Sequence, residues 1–382
     1  MDEKIRKVIF VHFLPLEQYP PAMNLVDYLS KLPAIQLNVV TNKVSSHLNL
    51  KKYQSSSPRT TIYRPARDSA SQIVRYFNYV FFYVASFFII LFRKPDAIIY
   101  TESLSALPAL LFKRWRKKKL LLLAHYHEYT TPVEYDTQMF LSKWMHKMEL
   151  KDYAQFDWIS QTNNVRLKKF VQDAHLEVLP NGVLQTLANY PPSSWLSSKI
   201  NPIGQPVKLV YVGSLGYDNM YLKELIEWII QKGEKYTLDI YAHNIDGKAK
   251  QFLEKHQSTA IRFCGGCNYQ DLPRLLKAYD VGLVIYKPYS ENTIHAVSNK
   301  VFEYLAFGLD VWFSEEMTFT LQYTELNAYP KIIPVDFRNL SEFDDNAALD
   351  RSGLTYKPCA YFYEKEYKKM ADVILSNHTK AN

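Results

Sequence analysis

The stretch Ser298-Asn299-Lys300-Val301-Phe302-Glu303-Tyr304-Leu305-Ala306-Phe307-Gly308 runs straight into Leu309-Asp310-Val311-Trp312-Phe313. The first segment predicts a short helix. Ser298 or Asn299 can cap its start by accepting from a first-turn N–H, and Gly308 can close it with a left-handed residue. The second segment reads as a buried strand. Alternating strands and helices build a parallel sheet. One residue does not suit an ordinary surface helix. Lys300 falls in the first turn, where the helix dipole is positive and a cation is disfavoured. It fits if an anion shares the site, because helix N-termini bind phosphate through their N–H groups. Glu303, three residues on, lies on the same face and can accept from sugar hydroxyls. The competing reading is a Lys–Glu pair on an exposed face, and spacing alone favours that pair.

Outward from this stretch, the pattern repeats. Strands are expected at Lys208–Val212, Thr237–Ala242, Ile261–Cys264, Val281–Tyr286 and Leu309–Phe313. Helices fall between them at Met220–Gln231, Lys248–His256, Gln270–Ala278 and Lys300–Phe307, and a last helix at Tyr361–Leu375. An earlier series has strands at Val8–Phe13, Leu37–Thr41, Ala97–Tyr100, Leu120–Ala124, Trp158–Ser160 and Glu177–Leu179. Its helices include Ala22–Leu32, Leu104–Arg114, Gln138–Tyr153 and Val165–Val171. Pro180-Asn181-Gly182 and Tyr190-Pro191-Pro192-Ser193-Ser194 separate the two series. The expected class is α/β, with two doubly wound parallel-sheet domains over residues 1–190 and 191–360 and a closing helix in 361–382. Ligands of such folds bind at the carboxyl ends of strands, which predicts a site in a cleft between the two.

Length and charge agree with two cores and an anionic partner. The chain has 382 residues and a formal net charge of +8, with a pI near 9.0. Nucleic acid, a phosphorylated ligand or an acidic membrane surface all suit that charge. Three cysteines make no disulfide framework and point to a reducing, cytoplasmic setting. No secretory signal is expected, since the apolar run Val8–Phe13 is too short for one. The most apolar run, Tyr79–Phe92, falls short of the roughly 20 residues a membrane span needs. It is expected to be a core helix or one lying against a membrane. All 11 glycines lie between Gly182 and Gly353, so close backbone approach to a diphosphate is expected in the C-terminal half.

Gly213-Ser214-Leu215-Gly216 follows a strand and precedes a helix, as a phosphate-approaching turn does, although it is neither a dinucleotide fingerprint nor a P-loop. His125, His127 and Glu128 close the fourth strand, where a cleft is expected. They lack the distant partners of a zinc site. Cys264-Gly265-Gly266-Cys267 is a C-x-x-C read as a glycine turn with incidental thiols. Lys113-Arg114-Trp115-Arg116-Lys117-Lys118-Lys119 ends a helix. It suits either the negative helix terminus or acidic lipid headgroups. No D-x-D occurs, so no metal or other cofactor is expected to bridge a nucleotide diphosphate.

Together these segments resemble the retaining glycosyltransferases of GT-B fold, and are most similar to glycosyltransferase family 4. The likeness rests on Leu179-Pro180-Asn181-Gly182-Val183, on Leu209–Leu215, on Ile261–Gly265 with Leu272–Asp280, on His127-Glu128, and above all on Asn299–Gly308. The resemblance implies metal-independent transfer of a sugar from a UDP- or GDP-linked donor to an acceptor, with anomeric configuration kept. It implies that Lys300 and the backbone at Gly213 and Ser214 stabilise the leaving diphosphate, that Glu303 accepts from the ribose, and that Asn299 and Val301 also bind the nucleotide sugar. His127, Glu128 and Lys300 are the implied catalytic residues. His295 stands where the family carries the first of two glutamates eight apart and is assigned to the donor sugar. The expected acceptor is a lipid-linked or surface-polysaccharide glycan. Residues 113–119 are expected to touch the inner face of the cell membrane as a peripheral contact. The alternatives are a nucleotide-sugar epimerase of the same fold, a non-catalytic GT-B-like protein, or a nucleic-acid binder using the basic run; nucleic acid is not the expected partner.

Overall fold

The structure is a computed structural model that describes residues 5–44, 50–67, 72–116, 120–176, 179–180, 182–197 and 202–376. The chain forms two compact units, Met1–Asn189 with Tyr363–Asn382, and Tyr190–Phe362.

The first unit runs β1 (Arg6–His12), α1 (Pro20–Lys31), β2 (Ile35–Thr41), β3 (Thr60–Tyr63), α2 (Gln72–Arg93), β4 (Ala97–Thr101), α3 (Ala106–Arg116), β5 (Leu121–Tyr126), α4 (Pro132–Thr137), α5 (Phe140–Asp152), β6 (Trp158–Gln161), α6 (Asn164–Asp173) and β7 (Val183–Thr186). Its seven strands lie in the order β3-β2-β1-β4-β5-β6-β7, and every pair is parallel. β1, β4 and β5 read as near-continuous apolar runs because helices cover both faces. The core joins Ile9, Ile98, Tyr100 and Leu122 to Phe82, Leu110, Phe112 and Met145 from the helices. Two helices start where side chains accept from first-turn amides: Thr131 from Glu134, and Asn163 from Arg166.

The second unit runs β8 (Val207–Val212), α7 (Leu222–Lys232), β9 (Tyr236–Tyr241), α8 (Gly247–His256), β10 (Ile261–Phe263), α9 (Leu272–Leu275), β11 (Val281–Val284), α10 (Glu291–Ile294), α11 (Asn299–Ala306), β12 (Asp310–Ser314), β13 (Ala328–Tyr329), β14 (Ile332–Val335), α12 (Asp345–Leu349) and β15 (Thr355–Tyr356). The six-stranded sheet has the order β10-β9-β8-β11-β12-β14 and is again all parallel. β13 and β15 form a small separate ribbon. The last helix, α13 (Tyr363–Leu375), belongs to the first unit and packs on α1. There Tyr363 Oη donates to Asp27 at 3.1 Å.

Three expectations need correction, and two strands go unread in the sequence. The strand placed at Glu177–Leu179 is instead Val183–Thr186, whose residues pair with Trp158–Gln161; Leu179 is not in a strand, and residues 177–178 lie outside those described. Two strands carry too weak a signal to be read: β3 is a half-exposed edge strand, and β14 holds a proline. The helix expected at Gln270–Ala278 is broken into a 3-10 turn, the four residues of α9 and another 3-10 turn; Pro273 removes one backbone donor from it. The apolar run Tyr79–Phe92 is part of a longer helix of 22 residues. Arg75 and Asn78 interrupt the run in sequence without interrupting the helix.

Candidate functional site

α11 begins at Asn299 and ends on Gly308, whose φ of +77° is the left-handed closure. Ser298 occupies the cap position, but its side chain makes no capping bond. This corrects the expected cap and leaves the first-turn amides to other acceptors. The inner face of the helix is core, with Val301, Phe302, Tyr304 and Leu305 buried. Tyr304 locks the helix to the sheet: its Oη accepts from the Val212 amide at 3.1 Å, at the end of β8. Its ring lies over Gly282 of β11, where any side chain would overlap it. Nothing local in the sequence marks Gly282 as a glycine that makes room for a distant tyrosine.

This anchoring sets the geometry around Lys300. The Lys300 Nζ donates to Tyr286 Oη at 2.8 Å and lies 5.3 Å and 5.9 Å from the ring centroids of Tyr286 and Tyr211. A Cβ at Gly213 would lie 2.7 Å from that Nζ. Gly213 has a φ of +148° and donates its amide to Tyr241 at 2.9 Å. Tyr211 Oη donates to the Ser214 carbonyl at 2.5 Å, which fixes the turn from below. The structure therefore brings Lys300, Gly213 and the Ser214 turn together at the carboxyl end of β8. Burial works against the Lys300 ammonium, but Tyr286, through its field and hydrogen bond, and then Glu303 outweigh it and raise its pKa.

Glu303 is buried, so the exposed Lys–Glu pair is excluded as its role. Burial pushes its carboxyl up to about 7, opposed by Lys300 and by a hydrogen bond from Tyr269. A buried carboxyl with a raised pKa is, once ionised, a strong acceptor for a hydroxyl donor. Asn299, Val301 and His295 lie on the same segment; His295 ends α10, its amide donating to Glu291 at 3.0 Å. Cys267 sits close enough to feel Glu303. Burial first, then that carboxylate, pushes its thiol up to about 12, so it is not a reactive thiolate. Cys264 and Cys267 are free thiols, and Gly266 between them lets the loop pass against the His243 ring.

The first unit has its own concentration of polar groups at strand carboxyl ends. His127 is buried, with Nδ1 3.1 Å from Asn189 Oδ1 and its ring 4.3 Å from that of His125 and 5.2 Å from that of Tyr19. His125 Nδ1 lies 2.9 Å from Ser160 Oγ, and His12 Nδ1 2.5 Å from Thr101 Oγ1. The Nε2 atoms of all three are buried without a hydrogen-bond partner. Burial holds His12 near 3 and His125 near 4, and burial with the neighbouring histidines takes His127 well below its usual value. These are neutral imidazoles, suited to hydrogen bonding rather than to charge. The Glu128 side chain, by contrast, is exposed.

Glu102 is a residue the sequence reading missed. It follows β4 with a φ of +63°, a conformation costly for a side chain with Cβ. Its carboxylate accepts from the His127 amide at 2.9 Å. Burial and the nearby Glu128 push its carboxyl up to about 8. Its sequence signal is slight: an acid at a strand's carboxyl end. Arg166 fixes the same loop by donating to the His127 carbonyl at 2.9 Å.

The basic run divides. Lys113 is buried: its Nζ donates to the Leu120 carbonyl at 2.5 Å and to Asp157 at 3.1 Å. It holds α3 to the sheet and is not a membrane contact. Arg114 bonds Asp152. Trp115 and Arg116 are exposed, with the Arg116 guanidinium over the indole. Lys117, Lys118 and Lys119 lie outside the described residues. Among the described residues no group of three or more His, Cys, Asp or Glu side chains is disposed to hold a metal.

No family model matches the sequence, and no curated protein matches it. Solved structures do. The chain is similar to sucrose-phosphate synthase from Thermosynechococcus elongatus, at 13% identity and a TM-score of 0.62, covering 97% of this chain and 95% of that one. UDP-GlcNAc 2-epimerase from Neisseria meningitidis, bound to UDP-GlcNAc, is similar at 11% identity and 0.60, covering 97% and 100%. A lipopolysaccharide outer core galactosyltransferase in its apo form is similar at 11% identity and 0.57, covering 96% and 99%. With two doubly wound parallel sheets in one chain, these likenesses identify the fold as GT-B.

Proposed function

We propose that the protein is a retaining glycosyltransferase that moves a sugar from a UDP- or GDP-linked donor to a lipid-linked or polysaccharide acceptor, without a metal. The observation that carries the reading is the Lys300 ammonium held against Gly213 beside the start of α11. A cation, a turn that only glycine fits and an uncapped helix start form a receptor for a diphosphate. Glu303 supplies the acceptor for ribose hydroxyls. In this reading Lys300 stabilises the charge that develops on the leaving diphosphate, the largest contribution to such a reaction. His127, neutral and with an unused Nε2, hydrogen-bonds a sugar hydroxyl, and Glu102 positions it. Glu128, next to His127, is kept as the third catalytic residue of the reading. The similar structures include one that carries UDP-GlcNAc and a galactosyltransferase, which supports a nucleotide sugar as donor. The reading places the protein in the cytoplasm, on the inner face of the cell membrane, in surface-polysaccharide synthesis.

The test is a thermal-shift panel of UDP, GDP, ADP and CMP. One diphosphate should stabilise the wild type and fail to stabilise Lys300→Met. No shift with any nucleotide removes the donor assignment. The epimerases among the similar structures make a second reading specific: conversion of the nucleotide sugar without any acceptor favours it, and dependence on an acceptor excludes it.

A further inference from the structure

We infer that α2 is a membrane-insertion element whose outer face lies in the headgroup and upper acyl region of an anionic leaflet. The helix is about 33 Å long at 1.5 Å per residue. It is apolar and long enough to cross a bilayer, yet only 28% of its most apolar window is buried. Phe77, Val80, Phe81, Val84, Phe88 and Phe92 form one exposed stripe at helical spacing, with Phe77 71% and Phe92 76% exposed. An uncovered apolar stripe of this length is uncommon on a soluble monomer.

The opposite face excludes a spanning role. Tyr79, Phe82, Tyr83 and Ile90 are core residues, with Tyr79 stacked on Phe13 at 4.3 Å and Phe87 against Phe112 of α3 at 6.4 Å. Surrounding α2 with lipid needs that core to open. A helix anchored on one side and apolar on the other lies along an interface. Trp115 on α3 is 62% exposed, and indoles favour the headgroup level.

Charge selects the occupant. The first unit carries 29 Lys and Arg against 18 Asp and Glu, a net +11, and the second carries 17 against 20, a net −3, which together give the chain's +8. Lys94, directly after α2, and Arg116, beside Trp115, are exposed. A second copy docked here would bring together two units of net charge +11, whereas an anionic leaflet attracts such a unit. The inference deepens the membrane attachment proposed above, but it rests on this unit's surface and not on the donor site.

Flotation of the full chain with vesicles tests it, and no nucleotide is needed, so its failure is separate from failure of the donor assignment. The wild type should partition onto phosphatidylcholine–phosphatidylglycerol vesicles at least about tenfold better than onto phosphatidylcholine alone. Phe77→Ser with Phe92→Ser should lose at least about tenfold on the anionic vesicles, with a thermal midpoint close to the wild type's because these side chains are 71% and 76% exposed. Lys94→Glu with Arg116→Glu should reduce the preference for anionic over neutral lipid. Undiminished binding by the phenylalanine double variant overturns the inference. So does a wild type that ignores vesicles and forms a dimer that the same double variant dissolves.

Discussion

The Lys300 ammonium occupies space that a side chain at residue 213 needs. The two residues belong to different elements, yet each sets what the other can be: glycine at 213 because a methyl group there overlaps the Lys300 side chain, and a lysine at 300 whose charge sits on the turn that follows β8. Gly213→Ala should therefore cost nucleotide affinity about 10–100-fold by displacing the ammonium, and roughly 1 kcal/mol of stability from the positive φ. Titration calorimetry in a double-mutant cycle checks the coupling. Once Lys300 is methionine, Gly213→Ala should cost little further affinity, since both changes remove the same contact. Additive losses would separate the two residues.

Much of the fold could be read from the sequence because it depends on apolar runs that carry their own signal. β1, β4, β5, β8 and β12 are such runs, buried on both faces. β3 and β14 could not be read, because one is a polar edge and the other a short run broken by Pro334. The surroundings of Lys300 were partly legible. A cation in a helix's first turn is a local anomaly. Its partners are Tyr211 in β8, Gly213 in the turn after it and Tyr286 just past β11, and no spacing rule connects them. The basic run shows the opposite failure. Lys113 looks like its neighbours in sequence, and only the Leu120 carbonyl and the half-buried Asp157 that accept from it make it a core residue. Glu102 is marked by its backbone conformation, which composition does not reveal.

Glu303 should make nucleotide binding pH-dependent near neutrality. Its carboxyl is pushed up to about 7 by burial, and a hydroxyl donor prefers the ionised form, so affinity should fall as pH drops from 8 to 6. Stability runs the other way. Between about 4.5 and 7 the folded chain holds a proton that the unfolded chain has released, so this residue's contribution is complete below pH 4.5 and is lost as pH rises through 7. Glu303→Gln should flatten both profiles and raise the melting temperature more at pH 8 than at pH 5. A variant whose binding keeps the wild-type pH profile would remove Glu303 from the nucleotide site.

At Glu102 the backbone and the carboxylate make separable contributions. Glycine relieves the positive φ and loses the hydrogen bond to the His127 amide; alanine keeps the strain and loses the same bond. Glu102→Gly should therefore be more stable than Glu102→Ala by about 1 kcal/mol in urea denaturation. Under the proposed function both should lower kcat for sugar transfer, while Glu102→Gln, which retains an acceptor oxygen, should keep more of it. Equal stabilities for glycine and alanine would show that the conformation is not strained.

The histidines at the ends of β1 and β5 should make the first unit acid-labile well above the range where carboxylates titrate. Burial holds His12 near 3 and His125 near 4, against about 6.5 in the unfolded chain. Between those limits the unfolded chain binds more protons, so stability falls as pH drops below about 6.5 and has lost most of this contribution by pH 4. The size is on the order of 1–3 kcal/mol for each fully buried ring. Its sign is opposite to that of Glu303 and Glu102, so the two sets nearly meet between pH 6 and 7, where the balance is best seen by removing one side. His125→Gln should shrink the difference in unfolding free energy between pH 5 and pH 7.5 by about 1 kcal/mol or more, even if it lowers stability at both. If His125→Gln shows the full wild-type acid sensitivity, the buried imidazoles are not its source.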